Sequence, residues 1–482
     1  MDVGCLKDNV NAVTYRCFEA GTTINEIQEY LWPSEHRTTK YPEKYRVLEN
    51  ATSGPGLSLA GTVSTGAHGN GLNNGIMADS VASFQLLIID KYWGVKCYQI
   101  EPTNGITDPF KFTEKYKDYK YSHELIQDDE TFDASVVNIG LIGVVYSYVL
   151  RTVPGFCLKE ERKVYKWGEA NIIIQDLYNG KVKDLYNFQI IGSPYACKLT
   201  SKEKEEHRIL ISILKRAKPP GIGKRPEGFK HIPLESLNNA LVNAGEAAPH
   251  IVPLVMHFSL MYLAHESIVL DAAEALNTLS GVFSDDNVYI STSECAKRLD
   301  GAETIFEIFE ELYELYDGIR NKYGRQLVNV PIAQRFTCKT NKYMAMEYDR
   351  KGPSITIEQS ILHGTPGADD TLEQLRARML DVFNGRPHWG LLHDMDSIKL
   401  AKLYSENTRA RFYLAMNYFD PNYVFENKFG KRVFGEERRK MENVIQEDIP
   451  FDLSAPVDVV TITYVFVVIV NCVFNLSHVK IK

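Results

Sequence analysis

Residues 53–75, SGPGLSLAGTVSTGAHGNGLNNG, decide how the rest of this chain is interpreted. Seven of these residues are glycines, and small hydroxyl side chains stand between them. Glycine allows positive φ angles and lets the backbone come close to a ligand, because no Cβ stands in the way. Consecutive exposed N–H groups then form a concave site for an anion. The segment therefore predicts a loop that holds a diphosphate, with a flexible surface loop as the alternative.

Two features of the segment favour ligand binding over a surface loop. His68 stands where the glycines are closest together, inside the tightest turn. Apolar residues also alternate with the small polar ones, so we expect the segment to be half-buried; these residues are Leu57, Leu59, Ala60 and Val63.

Residues 60–71, AGTVSTGAHGNG, resemble the "AG…TGTHGSG" flavin loop of the FAD-linked sugar-lactone oxidases. This family comprises gulonolactone, arabinonolactone and alditol oxidases and belongs to the vanillyl-alcohol oxidase superfamily. The segment is not a dinucleotide-fold fingerprint, because no strand–turn–helix unit surrounds it. The resemblance implies that FAD is the cofactor and that nine residues here bind it: Ser53, Ser58, Gly61, Ser64, Thr65, Gly66, Ala67, His68 and Gly69.

The resemblance also implies an α+β fold with an FAD-binding domain of the vanillyl-alcohol oxidase (PCMH) type. We expect a partial FAD-binding domain at 1–153 and an α+β cap domain with an antiparallel sheet at 154–435. The last part of the cap domain returns to the flavin domain, and a tail follows at 436–482. The family's first subdomain, with its "GGGHS"-like diphosphate loop, has no counterpart in residues 1–12. We therefore expect a truncated gene model, or a protein that has lost half of its flavin cradle.

Local patterns predict several elements. Residues 13–18 read as a strand that leads into a helix with Thr22 or Thr23 as N-cap. Residues 101–130 look like a surface insertion, and 250–270 like a buried helix. Residues 132–150 resemble the family's last flavin-domain helix and strand, in which the backbone of Val144 would contact the adenine end of FAD. Apolar stripes predict two more helices, one near 305–319 ended by Gly318 and Gly324 and one near 372–383.

Residues 333–337, AQRFT, resemble the family's "E-V-R-F-T" strand on the substrate side. Arg335 is retained, whereas Ala333 replaces the glutamate. A guanidinium near the flavin can stabilise negative charge that develops on the reduced ring. Thr356 and Glu358 share one face of the next predicted strand, so Glu358 could replace the missing carboxylate. A solvent-facing strand edge is the alternative.

Residues 385–393, GRPHWGLLH, resemble the family's "A-R-P-H-W-A/G-K-x-H" motif. The resemblance makes His388 and His393 candidate catalytic residues, together with Arg335 and Glu358. The family's lysine is Leu391 here.

The implied reaction is oxidation of a CH–OH group of a sugar-1,4-lactone or related alcohol, with hydride passing to the flavin and oxygen as acceptor. The small-molecule alcohol and oxygen are then the partners of the chain. Because Ala333 and Leu391 are apolar, a more apolar alcohol such as a sterol stays open, as does a non-catalytic remnant of the family.

Composition and terminal sequences bear on the class of partner and on the cellular location. The net charge of −8 argues against nucleic-acid binding. The eight cysteines are scattered without ligand-like spacing, which indicates reduced thiols of an intracellular protein and no metal site. The N-terminus lacks the apolar region of a signal peptide. The apolar run 459–476 could be a tail anchor in contact with a membrane, a strand packed on the core or a mistranslated intron.

Overall fold

The computed structural model describes residues 5–445 except 38, 51, 53, 55, 120, 201, 203, 220–241, 244, 277–289 and 350. The candidate Ser53 and the apolar run 459–476 lie outside the described residues. Within the described part of the chain, no helix combines the length and the apolar character needed to cross a membrane.

The described residues form fifteen strands and twelve α-helices. The strands are β1 (Tyr15–Glu19), β2 (Arg46–Val47), β3 (Val81–Ile89), β4 (Val95–Glu101), β5 (Ser122–Gln127), β6 (Val144–Arg151), β7 (Val153–Pro154), β8 (Cys157–Lys166), β9 (Leu185–Gly192), β10 (Arg208–Ala217), β11 (His265–Asp271), β12 (Ile290–Arg298), β13 (Ile332–Thr337), β14 (Ser354–Leu362) and β15 (Arg386–Pro387). The helices are α1 (Ile24–Leu31), α2 (Leu59–Ser64), α3 (Pro109–Tyr116), α4 (Asp129–Ser135), α5 (Trp167–Tyr178), α6 (Val252–Leu263), α7 (Ala272–Ala275), α8 (Ala302–Tyr323), α9 (Ala368–Phe383), α10 (Ser397–Leu403), α11 (Glu406–Phe419) and α12 (Lys428–Ile445).

The chain divides into two compact units. The first takes its described residues from 1–20, 82–150 and 395–482, and the second from 21–81 and 151–394. The domain limits expected at 153 and 435 stay a prediction.

The first unit contains a five-stranded sheet in the order β1-β6-β3-β4-β5. The expected surface insertion at 101–130 is wrong in part, because β5 pairs in parallel with β4 and extends the sheet. The sequence did not show this strand because the surrounding segment is rich in lysine, tyrosine and acidic residues, which an edge strand tolerates. Just before β6, Gly143 has φ 157° and a Cβ there would lie 2.7 Å from the Leu87 carbonyl oxygen. Glycine is therefore required next to Val144, whose contact with adenine stays a prediction.

Helix signals in the second unit are mostly confirmed. Thr23 caps α1 in a capping box with Glu26, each side chain bonding the other residue's amide. Helix α8 ends at Gly324 with φ 67°. Gly318 was wrongly expected to end this helix; it lies inside, where glycine costs only about 1 kcal/mol relative to alanine. The helix expected over 250–270 stops at Leu263, and strand β11 follows.

The second unit is built on an eight-stranded sheet in the order β11-β8-β10-β9-β13-β14-β12-β15. One face is apolar and packs against α5, α8 and α9, with Phe188, Ile209, Phe336 and Ile357 among its buried residues. Because side chains alternate along a strand, the residues between these project from the opposite face. We call that opposite face the polar face; its members include Glu160, Arg162, Gln189, Ser212, Glu294, Arg335, Thr356 and Glu358.

All of these polar-face residues except Glu358 are at least nine-tenths buried. Burying polar groups costs free energy unless they are hydrogen-bonded or meet a ligand. One face of this sheet therefore forms the hydrophobic core, and the opposite, polar face is available to bind a ligand.

Gln334 is an exception on the apolar face, and it carries a stability prediction. It is fully buried, and among the described residues neither its Nε2 nor its Oε1 has a hydrogen-bond partner. We expect Gln334→Met to raise the free energy of unfolding by about 1–2 kcal/mol, because the variant removes two buried unsatisfied groups at similar volume. Urea denaturation measures the change.

Gln359 provides the matched control for this prediction. It lies on the same apolar face, but its amide donates to the Val330 carbonyl at 3.3 Å and accepts from the Tyr316 hydroxyl. Gln359→Met should lower stability because it leaves those partners unpaired. Equal effects of the two substitutions would contradict the argument.

Candidate active site

The centre of the polar face is Glu294 on β12. In the register of the sheet, Glu294 lies opposite Glu358 on β14, which in turn lies opposite Ala333 on β13. The Arg335 guanidinium donates to Glu294 Oε1 at 2.9 Å and to Glu358 Oε2 at 2.7 Å. Two carboxylates from neighbouring strands thus hold one guanidinium between them. Glu358 lies directly across from Ala333, so a carboxylate stands beside the position where alanine replaces the family's glutamate.

His68 joins this cluster from the glycine segment. Its Nε2 lies 3.2 Å from Glu294 Oε1, an ion-pair distance off the line of a good hydrogen bond. Its Nδ1 lies 2.9 Å from the Gly69 carbonyl oxygen and therefore carries a proton to donate. The histidine of the glycine segment and Arg335 thus contact the same Glu294 carboxylate.

Asn70 fixes the segment in this position. The pairing of β9 with β13 runs to Ile190 and Gln334. Beyond that point, Asn70 Nδ2 donates to the Phe188 carbonyl at 2.9 Å, and its Oδ1 accepts the Phe336 amide at 3.0 Å. The Asn70 side chain therefore replaces ladder hydrogen bonds where the two strands separate, two residues from His68.

The first half of the glycine segment differs from the expected open loop. Residues Leu59–Ser64 form helix α2, and the N-cap Ser58 accepts a hydrogen bond from the Gly61 amide. Alternating apolar and small residues suit a short packed helix as well as a half-buried loop, so the sequence did not separate the two. Three following amides also have carbonyl acceptors inside the segment: Thr65, Gly66 and Ala67. The expected run of exposed amides is therefore wrong for these positions, and contact of residues 58–69 with FAD stays a prediction.

The RPHW motif continues the sheet beside β12. Arg386 and Pro387 pair with Ala296 and Cys295, and the His388 amide donates to the Glu294 carbonyl at 2.9 Å. The His388 ring lies 6.2 Å from the His68 ring, centroid to centroid. The Gly390 amide donates to His388 Nδ1, so the ring proton of the neutral imidazole lies on Nε2.

Of the four candidate catalytic residues, three meet around Glu294: Arg335, Glu358 and His388. The fourth, His393, packs edge-on against Trp389 with ring centroids 5.5 Å apart. Trp389 in turn donates its Nε1 proton to the Met344 carbonyl. Trp389 and His393 therefore pack against the protein and do not take part in the cluster around Glu294 among the described contacts.

The cluster has an uneven charge distribution. Burial alone would raise the pKa of Glu294, but Arg335 and His68 hold that pKa well below its ordinary value. Burial would lower the pKa of His68, yet Glu294 raises it overall. These two groups therefore form a buried imidazolium–carboxylate pair. The pKa of Glu358 is raised by burial despite its contact with Arg335, and burial lowers the pKa of His388 to about 4.

Sequence reasoning missed two carboxylates of the site. Glu294 lies in the segment STSECAKR, which matches no motif, and only its register with Glu358 shows its place. Glu347 is fully buried in the turn after β13, and burial raises its pKa to about 7. Its Oε1 accepts a hydrogen bond from Thr337 at 3.3 Å.

The donor set at this face fits a heterocyclic, oxygen-rich group. Buried polar atoms without a partner among the described residues gather around Arg335: Gln189 Nε2, Ser354 Oγ, Thr356 Oγ1 and Glu347 Oε2. A flavin ring and an alcohol substrate present both donors and acceptors, so such groups could satisfy these atoms. The structure contains no histidine, cysteine and carboxylate grouping suited to a metal ion in its described residues.

Comparison with known sequences gives a family match. Residues 205–433 match the model of the D-arabinono-1,4-lactone oxidase family. L-gulono-1,4-lactone dehydrogenase of Mycobacterium tuberculosis is 21% identical over 315 residues, which cover 64% of this chain. The chain spans 65% of the length of that relative. D-arabinono-1,4-lactone oxidase of Debaryomyces hansenii is 23% identical over 149 residues, covering 31% of this chain and 20% of that protein.

Comparison with solved structures gives the fold. A histidine-to-alanine variant of cholesterol oxidase from Brevibacterium sterolicum superposes with a TM-score of 0.64 at 15% identity, covering 89% of this chain and 83% of that one. A second structure of cholesterol oxidase from B. sterolicum gives 0.62 at 15% identity, covering 87% and 81%. The predicted resemblance to the sugar-lactone oxidases and the predicted α+β, PCMH-type fold are confirmed by these matches.

Proposed function

We propose, on the premise that residues 205–433 carry an arabinonolactone-oxidase domain, that this chain is an FAD-dependent oxidoreductase. It oxidises a CH–OH group of a sugar-1,4-lactone or a related small alcohol, with oxygen as the acceptor. The observation that supports this most is the placement of Arg335 between two buried carboxylates, with His68 of the glycine segment against the same Glu294.

The polar face supplies the electrostatics of such a reaction. When bound, FAD supplies the hydride acceptor and returns the electrons to oxygen. Arg335 holds a permanent positive charge where negative charge develops, in surroundings from which water is excluded. Its two carboxylate contacts fix the guanidinium before substrate arrives.

Glu358 is the proton acceptor in this proposal. It is the more exposed of the two carboxylates on Arg335, with 19% of its side chain accessible against 2% for Glu294. Its raised pKa brings it closer to the range in which a general base works at neutral pH. His388 is neutral with its proton on Nε2, and in this proposal that proton is donated to the substrate.

The residues that hold FAD in this proposal are those of the glycine segment that the structure describes. They are Ser58, Gly61, Ser64, Thr65, Gly66, Ala67, His68 and Gly69. His68 and Gly69 follow the internally bonded amides of residues 65–67, and the His68 side chain contacts Glu294 of the charged cluster.

The direct test is reconstitution of the purified chain with FAD. We expect yellow protein whose visible flavin absorbance bleaches with L-gulono-1,4-lactone or D-arabinono-1,4-lactone in the absence of oxygen and returns when oxygen is admitted. Protein that stays colourless after incubation with FAD would rule the proposal out for this chain.

Substitution of the proposed base gives a sharper prediction. Glu358→Gln should slow flavin reduction by on the order of 10²-fold without loss of bound FAD, because the hydroxyl proton has no acceptor. Stopped-flow absorbance measures the rate. Glu161→Gln is the matched control, since Glu161 projects from another strand of the same sheet and pairs with Lys163. Equal rates in the two variants would remove Glu358 from the mechanism.

A further inference from the structure

We propose that the RPHW motif positions Glu347, and that the proton which Glu347 carries sets the net charge of the buried cluster around Glu294. Arg386 and Trp389 are the two positioning residues of the motif. The inference rests on the proposed function only for its catalytic consequence, because the charge itself can be measured without FAD.

The turn that carries Glu347 is buried along its whole length. Residues 343–347 are all at least nine-tenths buried, and Glu347 itself is fully buried. A buried turn cannot satisfy its backbone carbonyl groups with water, so donors from elsewhere in the chain must do so. The position of Glu347 therefore depends on the side chains that supply those donors.

Two side chains of the RPHW motif supply them. Arg386 Nη1 donates to the carbonyl groups of the residues directly before and after Glu347. One nitrogen can serve both carbonyl groups because it carries two hydrogens. The Trp389 indole donates to the Met344 carbonyl at 2.6 Å. The motif thus fixes the backbone on both sides of Glu347.

The Glu347 side chain lies in surroundings that favour a bound proton. Its Oε1 accepts a hydrogen bond from the Thr337 hydroxyl at 3.3 Å, whereas its Oε2 has no hydrogen-bond partner among the described residues. Burying an ionised carboxylate with an unmet oxygen costs far more free energy than burying the neutral acid. Burial accordingly raises the pKa of Glu347 to about 7.

Titratable groups from several segments interact with Glu347. The charge of His68 opposes the burial-driven rise in the Glu347 pKa, whereas the charges of Glu294 and Asp79 add to it. The Cys338 thiol also interacts with Glu347, but burial raises the pKa of this thiol to about 11, so it stays neutral. Loss of the Glu347 proton would therefore add one more negative charge to a cluster in which Glu294 is already ionised.

The catalytic consequence follows from charge balance. In the proposed reaction the hydroxyl proton passes to Glu358 and hydride leaves the substrate carbon for the flavin, so negative charge develops beside Arg335. A neutral Glu347 adds nothing to oppose that charge, whereas an ionised Glu347 does. We expect flavin reduction to slow above about pH 7 in the wild-type chain and not in Glu347→Gln.

Infrared spectroscopy of the full chain without FAD detects the proton directly. A protonated carboxyl group has a carbonyl stretching band that a carboxylate lacks. We expect such a band to disappear as pH rises through about 7, and to be missing from Glu347→Gln. In histidine-labelled protein, the NMR signal of His68 should shift together with this band in the wild-type chain only. Infrared and NMR titrations that are the same in Glu347→Gln as in wild type would overturn the inference.

The positioning role is tested with Trp389→Phe and Arg386→Met. Each variant frees one part of the turn and lets water reach Glu347, so the titration should move to lower pH by about one unit or more. Trp167→Phe is the matched control, because Trp167 packs against Phe306 in the core of the apolar face. It should leave the titration unchanged. An unchanged titration in both Trp389→Phe and Arg386→Met would rule out positioning by the motif.

Arg386→Lys keeps the test informative if Arg386→Met does not fold. Lysine retains the charge but offers a flexible ammonium group in place of the planar guanidinium. A titration shifted to lower pH in Arg386→Lys would support the positioning role, and the wild-type titration in both Arg386→Lys and Trp389→Phe would overturn it. Failure of the wild-type chain to take up FAD would instead refute the proposed function, and the infrared and NMR titrations of the FAD-free protein would still decide the inference.

Discussion

Arg335→Met is expected to lower the free energy of unfolding by about 3–5 kcal/mol, the usual cost of removing one partner from a buried ion pair. Arg335 is 4% exposed, and its guanidinium lies within 3 Å of both Glu294 and Glu358. Without it, two carboxylates remain opposite each other across β12 and β14. Methionine fills a similar volume but supplies no charge. Urea denaturation followed by circular dichroism measures the loss.

Partial compensation within the cluster provides the control for this prediction. His68 stays 3.2 Å from Glu294 Oε1, so one of the two carboxylates keeps a cationic neighbour. The double variant Arg335→Met with Glu358→Gln therefore leaves one carboxylate facing one imidazolium and should recover much of the lost stability. The difference between the double variant's stability change and the sum of the two single changes measures the effect of the unpaired buried charge separately from the loss of packing. If Arg335→Met lowers the free energy of unfolding by less than about 1 kcal/mol, the ion pairs of Arg335 contribute no more than solvent-exposed pairs do.

Residue patterns in the sequence were sufficient for the elements that carry local signals. Capping at Thr23, the apolar stripe of α8 and the alternation of β14 each depend on neighbours within a few residues. The candidate residues Arg335 and His388 came from motifs, and the structure places both beside Glu294.

Long-range register accounts for what the sequence did not reveal. Glu294 becomes part of the site because β12 pairs with β14 and β15, and Asn70 because β9 and β13 separate where it enters. Neither residue differs locally from an ordinary strand or loop residue. Helix α2 was missed for a related reason, since six residues with one glycine have little intrinsic preference for a helix and depend on packing.

Opposing pH dependences at His388 and Glu347 form the second large prediction. Burial lowers the pKa of His388 from 6.5 to about 4. Between these values the unfolded chain binds a proton that the folded chain does not, so this group's contribution to stability falls as pH falls. Burial raises the pKa of Glu347 from 4.5 to about 7. There the folded chain holds the proton, so its contribution falls as pH rises.

Each shift corresponds to about 3 kcal/mol over its range, since one pKa unit is worth about 1.4 kcal/mol. The two contributions largely cancel in the wild-type chain between about pH 4.5 and 6.5, and substitution should separate them. Relative to wild type, Glu347→Gln should become more stable as pH rises, and His388→Asn less stable. Asparagine is chosen because its Oδ1 can accept the Gly390 amide that His388 Nδ1 accepts. Urea denaturation across this pH range measures both differences.

The double variant Glu347→Gln with His388→Asn provides the decisive comparison. Its stability difference from wild type should change little with pH, because both titrating groups are gone and their slopes oppose each other. Parallel slopes in the two single variants would mean that the groups do not titrate as their burial implies. Opposite slopes would show that a neutral imidazole and a protonated carboxyl are buried together below about pH 7, while Glu294 stays charged. The proposed reaction requires such a division of protonation states, because one group accepts a proton while its neighbours hold theirs.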